Sequence, residues 1–145
     1  MTGPENPARR DRWLRAVGYG LAAEIATILT IILIVLMYRS VVTPGLTDAD
    51  YAAFGQRVGA IVGVAGGTLY TFLFARLLMR ALGARFVAHG ATVAVTAIAF
   101  SIAGSTAGHH SIPATYLLAS ALKLAAGTLA GFLYSRSISL NRNVV

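Results

Sequence analysis

Four stretches of the chain are apolar on every face a helix would present, and polar residues cluster in the gaps between them. Between Ala16 and Tyr38 the only charge is Glu24, and the run from Ile25 to Met37 shows no polar stripe. A helix on a soluble surface needs such a stripe, so the surroundings of this one must be apolar. The pattern predicts membrane spans at about 17–38, 58–79, 86–107 and 113–134. Each holds about 22 residues, roughly 33 Å at about 1.5 Å per residue, against a hydrocarbon core of about 30 Å. The second span carries Arg76 near its end, the third His89 near its start, and the fourth Lys123 near its middle.

The connections are short. Thr43-Pro44-Gly45 reads as a turn, and Thr47-Asp48-Ala49-Asp50 as a helix N-cap with acidic residues in its first turn. A short interfacial helix is expected there, before the second span. The loops 80–85 and 108–112 are tight, and Pro113 suits the first turn of the fourth span. The expected fold is therefore all-α, an up-down membrane bundle. It follows a basic segment, 1–16, and precedes a tail, 135–145.

Composition points the same way. Of 145 residues, 57% are hydrophobic and 12% charged, against roughly 45–50% and about 25% in a soluble domain. The mean hydropathy is +0.71. Disorder is excluded by the same figures. The absence of cysteine excludes disulfides, thiolate catalysis and cysteine-bound metals. The net charge of +7 is a matter of placement rather than of nucleic-acid binding. Arg9, Arg10, Arg12, Arg15, Arg76, Arg80, Arg85, Arg136 and Arg142 gather at one end of the spans. Arg39 and Arg57 lie at the other, offset by Asp48 and Asp50. The positive-inside rule then puts both termini in the cytoplasm, with the arginines against anionic lipid headgroups, as in a plasma membrane of bacterial inner-membrane type. Residues 1–38 do not read as a cleaved signal, because the apolar stretch is too long and no small-residue cleavage site follows. Trp13 and Tyr19 are expected near the headgroups.

Residues 65–76 and 125–136 match at seven of twelve positions: Ala65/Ala125, Gly67/Gly127, Thr68/Thr128, Leu69/Leu129, Phe72/Phe132, Leu73/Leu133 and Arg76/Arg136. A duplicated helix pair, repeated about an axis along the membrane normal, would produce this, and so would the narrow alphabet of membrane helices. Gly63 would then correspond to Lys123.

Gly55, Gly59, Gly63 and Gly67 recur every four residues, and the fourth span carries Gly127 and Gly131. The third places Thr92 and Thr96, then Ala99, Ala103 and Ala107, at the same spacing. Small faces let backbones approach closely, a main source of helix association in lipid. The ridge on the second span is expected to pack within the bundle.

Glu24 and Lys123 are the sharpest features. A charge at the centre of a span costs at least about 2.5–3.5 kcal/mol on insertion scales. Glu24 lies roughly 10 Å and Lys123 roughly 16 Å from the arginine-rich end, a difference within the reach of a lysine stem. If the first and last helices are neighbours, the two can pair. Lys123 shares a face with Tyr116, Ser120, Gly127 and Tyr134; Glu24 shares one with Gly20, Thr27 and Ile28. A structural ion pair, a transport site for a proton, ion or zwitterion, and a contact with a partner subunit's carboxylate are all compatible with these positions.

Other chemistry is weak. His109 and His110 are adjacent on a loop with no acid nearby, and His89 reads as interfacial. No histidine pair suits a haem, and four helices would enclose a retinal on Lys123 poorly. No nucleophile–base pair or phosphate loop is visible, and serines and threonines within spans mostly bond back to their own helix. The expectation is a non-enzymatic accessory or structural subunit, without metal or cofactor, packing against itself or a larger membrane complex. The alternative is a minimal oligomeric transporter or channel using Glu24 and Lys123.

Overall fold

The computed structural model describes residues 7–107 and 114–142, with side chains described for 10–105 and 114–140. Among these residues the chain is all-helical. It forms α1 (Pro7–Met37), a π-helical turn (Tyr38–Val42), α2 (Asp48–Met79), α3 (Phe86–Ala107) and α4 (Ala114–Arg142). All four α-helices contain a stretch long and apolar enough to cross a membrane. The loop 108–112, with His109 and His110, lies outside the described residues.

Three helices are longer than the apolar pattern implied: α1, α2 and α4, the last running on to Arg142 through most of the expected tail. α1 starts at Pro7, so Arg9, Arg10, Arg12 and Arg15 sit within its first turns instead of preceding it. Proline suits a first helical turn, and arginine is a good helix former, so charge ends the span without ending the helix. Thr47 is the N-cap expected: its hydroxyl accepts from the Asp50 amide, and the Asp50 carboxylate accepts from the Thr47 amide. The helix it starts is α2 itself, and no separate interfacial helix forms. Nothing between Asp50 and Val58 breaks it.

The α1–α2 turn is tied by Tyr51, whose hydroxyl donates to the Thr43 carbonyl at 2.8 Å and accepts from the Leu46 amide at 3.1 Å. Tyr38 stacks on Phe54 with centroids 3.7 Å apart. Gly45, at φ 97°, takes the left-handed conformation that the turn requires.

Helix directions alternate. Thr30 bonds Tyr70, and Ser105 bonds Tyr116, which sets α1 against α2 and α3 against α4 antiparallel. Around the bundle the order is α1, α2, α4, α3. The like-directed helices α1 and α3 are adjacent, as are α2 and α4, while α1 and α4 lie across the diagonal. This corrects the expectation that first and last helices are neighbours. It also excludes a twofold repeat about the bundle axis, which would place α1 opposite α3. Gly67 and Gly127, equivalent by sequence, have different partners: Lys123 for the first, Gly90 and Ala94 for the second.

Small residues set that order. A Cβ on Gly20 would stand 2.6 Å from the Val93 carbonyl oxygen, and one on Gly131 would stand 2.5 Å from that of Phe86. Gly90 and Gly127 face each other so closely that a Cβ on either would collide with the other's carbonyl. α3 is thereby drawn against both α1 and α4, with backbone contacts that larger residues forbid. The core is built largely of alanine (Ala16, Ala23, Ala75, Ala94, Ala97, Ala126, Ala130), while Leu33, Ile61 and Leu117 are 59–73% exposed. That inversion, small within and large without, suits a surrounding that is itself apolar.

A candidate site on the bundle axis

Glu24 and Lys123 are 7% and 3% exposed, and Lys123 Nζ lies 2.6 Å from Glu24 Oε2. Because α1 and α4 are diagonal, the pair spans the axis of the bundle and not a seam between neighbours. Ser101 of α3 completes it. Its hydroxyl donates to Glu24 Oε1 at 2.5 Å and accepts from Lys123 Nζ at 2.9 Å. The three side chains close a ring of hydrogen bonds that engages both carboxylate oxygens. α2 contributes an absence: a Cβ at Gly67 would lie 2.7 Å from Lys123 Cε. Glycine there lets the lysine stem cross the axis, so all four helices shape the site.

Ser101 was not singled out in the sequence. The signal that would have found it is the four-residue series Val93, Ala97, Ser101, Ser105, in which Val93 and Ala97 are fully buried. Elsewhere the expectation of back-bonding holds: Thr27 bonds the Ala23 carbonyl, Thr68 that of Val64, and Thr71 that of Gly67. Ser101 and Ser105 depart from it and reach other helices, which marks the polar part of the interior. Of the faces drawn for the pair, Gly20, Thr27 and Gly127 are buried and Ile28 is exposed.

The glycine ridge divides. Gly67 meets Lys123, and Gly55 faces Val35 of α1 at 3.7 Å from a notional Cβ. At Gly59 and Gly63 a Cβ would meet nothing within 4 Å, so this part of the ridge does not pack within the bundle as expected. Gly127 and Gly131 do pack, against α3, and Gly20 and Gly90 join them without having been foreseen.

At the arginine-rich end, Arg10, Arg15, Arg76, Arg80, Arg85 and Arg136 are exposed, Arg12 is half-buried, and the side chain of Arg9 lies outside those described. Arg85 sits at φ 58°, an unusual conformation for a residue with a side chain. Its carbonyl accepts from both the amide and Nδ1 of His89. His89 is 3% exposed and stacked on Trp13, with centroids 4.4 Å apart, so the two rings tie the start of α3 to that of α1. His89 Nε2, on the other side of the ring, has no hydrogen-bond partner within the described structure. At the opposite end Arg39 meets Asp48 at 3.4 Å on the surface, a contact worth at most about 1 kcal/mol.

Among the described residues no three histidine or acidic side chains group as metal ligands. No known protein family matches the chain, nor does any curated protein or solved structure.

Proposed function

We propose that the chain is a small multi-pass membrane protein with both termini in the cytoplasm, acting as a structural or accessory subunit that packs against itself or a larger membrane complex. One observation carries this reading. The charges of Glu24 and Lys123 are satisfied by each other and by Ser101, so the site requires no ligand to be stable where it is. The pair then fastens two hairpins, α1–α2 and α3–α4, which lie side by side in the same sense. The six exposed arginines at one end favour anionic headgroups as that end's neighbours. No reaction is assigned to the chain.

Mild solubilisation followed by native mass measurement tests the proposal. A fixed assembly is expected, and it should survive neutralising both charges together (Glu24→Gln with Lys123→Met). A monomer without partners overturns it.

A second reading, a minimal oligomeric transporter or channel, is favoured by the position of the charges on the bundle axis. It requires ion or solute flux in proteoliposomes that Lys123→Ala abolishes while the bundle stays folded. No flux for any ion or small zwitterion tried would remove its support.

A further inference from the structure

The four-helix core does not extend along the whole bundle. From the arginine-rich end to the Glu24–Ser101–Lys123 ring, the helices interlock through fully buried Ala16, Leu78, Met79, Val93 and Ala130. Beyond Thr27, which lies one turn past Glu24, Tyr51 is the one buried side chain towards the Asp48 end among those described on any helix. Yet each hairpin stays closed there: Tyr38 stacks on Phe54, and Ser105 bonds Tyr116 at 2.6 Å. The hairpins remain paired internally while the space between them opens.

Part of the wall of this opening is glycine and hydroxyl, beside half-buried Ile31 and Ile34 of α1. Gly67 points at Lys123 and Gly55 at α1, so Gly59 and Gly63 between them lie on the inward stripe of α2, where a Cβ would meet only open space. On the other hairpin, one to two turns beyond Lys123 on α4, are Ser120 and Tyr116, both half-buried, with Ser105 one turn beyond Ser101 on α3. A hydroxyl exposed to hydrocarbon loses hydrogen bonds that water would supply, at a cost of several kcal/mol in a fully apolar medium. Ser105 and Tyr116 bond each other there, so their pair together with Ser120 makes one side of the gap polar, across from Gly59 and Gly63, a lining that suits water. From Lys123 to the start of α4 at Ala114 the depth is nine residues, about 14 Å at about 1.5 Å each.

We propose that this half of the bundle is an aqueous crevice open at the Asp48 end, and that water and small hydrophilic solutes reach the Glu24–Lys123 pair from that end alone. The alanine and leucine core seals the pair from the arginine-rich end. This goes beyond the fastening role, which needs no access at all.

The chain has no cysteine, so single cysteines report without background. The variants are Gly63→Cys, Ser105→Cys and Ser120→Cys for the crevice, Ala94→Cys and Ala130→Cys for the sealed half, and Gly45→Cys for the exposed turn. Each is reconstituted in oriented proteoliposomes. Each is then treated with a membrane-impermeant cationic methanethiosulfonate, which needs a hydrated thiolate to react. The crevice positions are expected to react within about tenfold of Gly45→Cys from the Asp48 side, and at least about 100-fold slower from the other. The sealed positions should be slow from both sides. Ser105→Cys and Ser120→Cys change one atom each, so loss of folding does not obscure the result, and size-exclusion profiles check it. Crevice positions as slow as Ala94→Cys would mean that lipid or another helix fills the gap. Reaction from the arginine-rich side would mean that the core is not a seal. Either outcome overturns the proposal.

Discussion

Replacing Lys123 by methionine removes the ammonium but keeps a flexible stem of similar length against Gly67. Glu24, 7% exposed, would then retain the Ser101 hydroxyl and lose its counter-charge. Breaking a buried pair from one side costs about 3–5 kcal/mol, because the orphaned charge remains desolvated. At about 1.4 kcal/mol per decade, that lowers the folding equilibrium by two to three and a half decades. Glu24→Gln should cost a similar amount, leaving the ammonium alone. The double variant carries no orphan, and its stability should lie within about 1 kcal/mol of the parent, since replacing both members of such a pair is often neutral. Ser101→Ala, which removes two charge-assisted hydrogen bonds but no charge, should fall between, at about 1.5–3 kcal/mol. The assay is equilibrium unfolding in mixed micelles on a rising fraction of denaturing detergent. The parent, the two single variants and the double variant close a double-mutant cycle, with a coupling of about 5 kcal/mol or more. If the two single losses simply add in the double variant, Glu24 and Lys123 do not meet, and the axis-spanning ring is wrong. Exchanging the charges (Glu24→Lys with Lys123→Glu) should likewise recover folding that either half of the exchange loses.

Four further outcomes follow from the structure. Gly90→Ala and Gly127→Ala force α3 and α4 apart, and each should lower stability by more than about 2 kcal/mol. Gly59→Ala and Gly63→Ala meet no atom, and should leave stability unchanged or raise it by up to about 1 kcal/mol through helix propensity, both read from the same unfolding curves. Thr47→Ala should cost about 1 kcal/mol and speed hydrogen exchange at the first amides of α2, which its side chain caps. His89→Leu should shift the emission of the single tryptophan, Trp13, by removing the ring stacked on it; an unchanged spectrum would mean that the rings are not in contact.

How much of this was legible in the sequence depends on which physical signal each feature left. The spans were legible because an uninterrupted apolar run has no stable alternative setting. Their helices were not fully so: α1 continues through Arg9 to Arg15, and α2 begins at Thr47, because hydropathy marks where a helix leaves oil and not where its hydrogen bonds stop. The juxtaposition of Glu24 with Lys123 could be anticipated from depth and side-chain reach alone. Its path could not. Loop lengths suggest that helices consecutive in sequence are neighbours, yet α2 and α3, joined by the short turn 80–85, are largely across the diagonal. Helix order here follows close backbone contacts at Gly20, Gly90, Gly127 and Gly131, and only two of these lay in a repeating glycine pattern. The conspicuous ridge contributes Gly67 to the site and Gly55 to the contact with α1, and between them Gly59 and Gly63 border open space. A four-residue glycine spacing specifies a face, and only the rest of the fold decides what that face meets. Ser101 was invisible for a related reason, since most serines in such helices bond their own backbone.

The account rests on four crossings of an apolar layer that leave both ends of the chain on one side. Single cysteines at Arg10, Gly45 and Ser139 test this most directly when an impermeant thiol reagent is applied to intact cells and then to inverted vesicles made from them. The expected result is that Gly45→Cys reacts only in intact cells, while Arg10→Cys and Ser139→Cys react only in the inverted vesicles. Reaction of all three from one side, or of Arg10→Cys and Ser139→Cys from opposite sides, would contradict it.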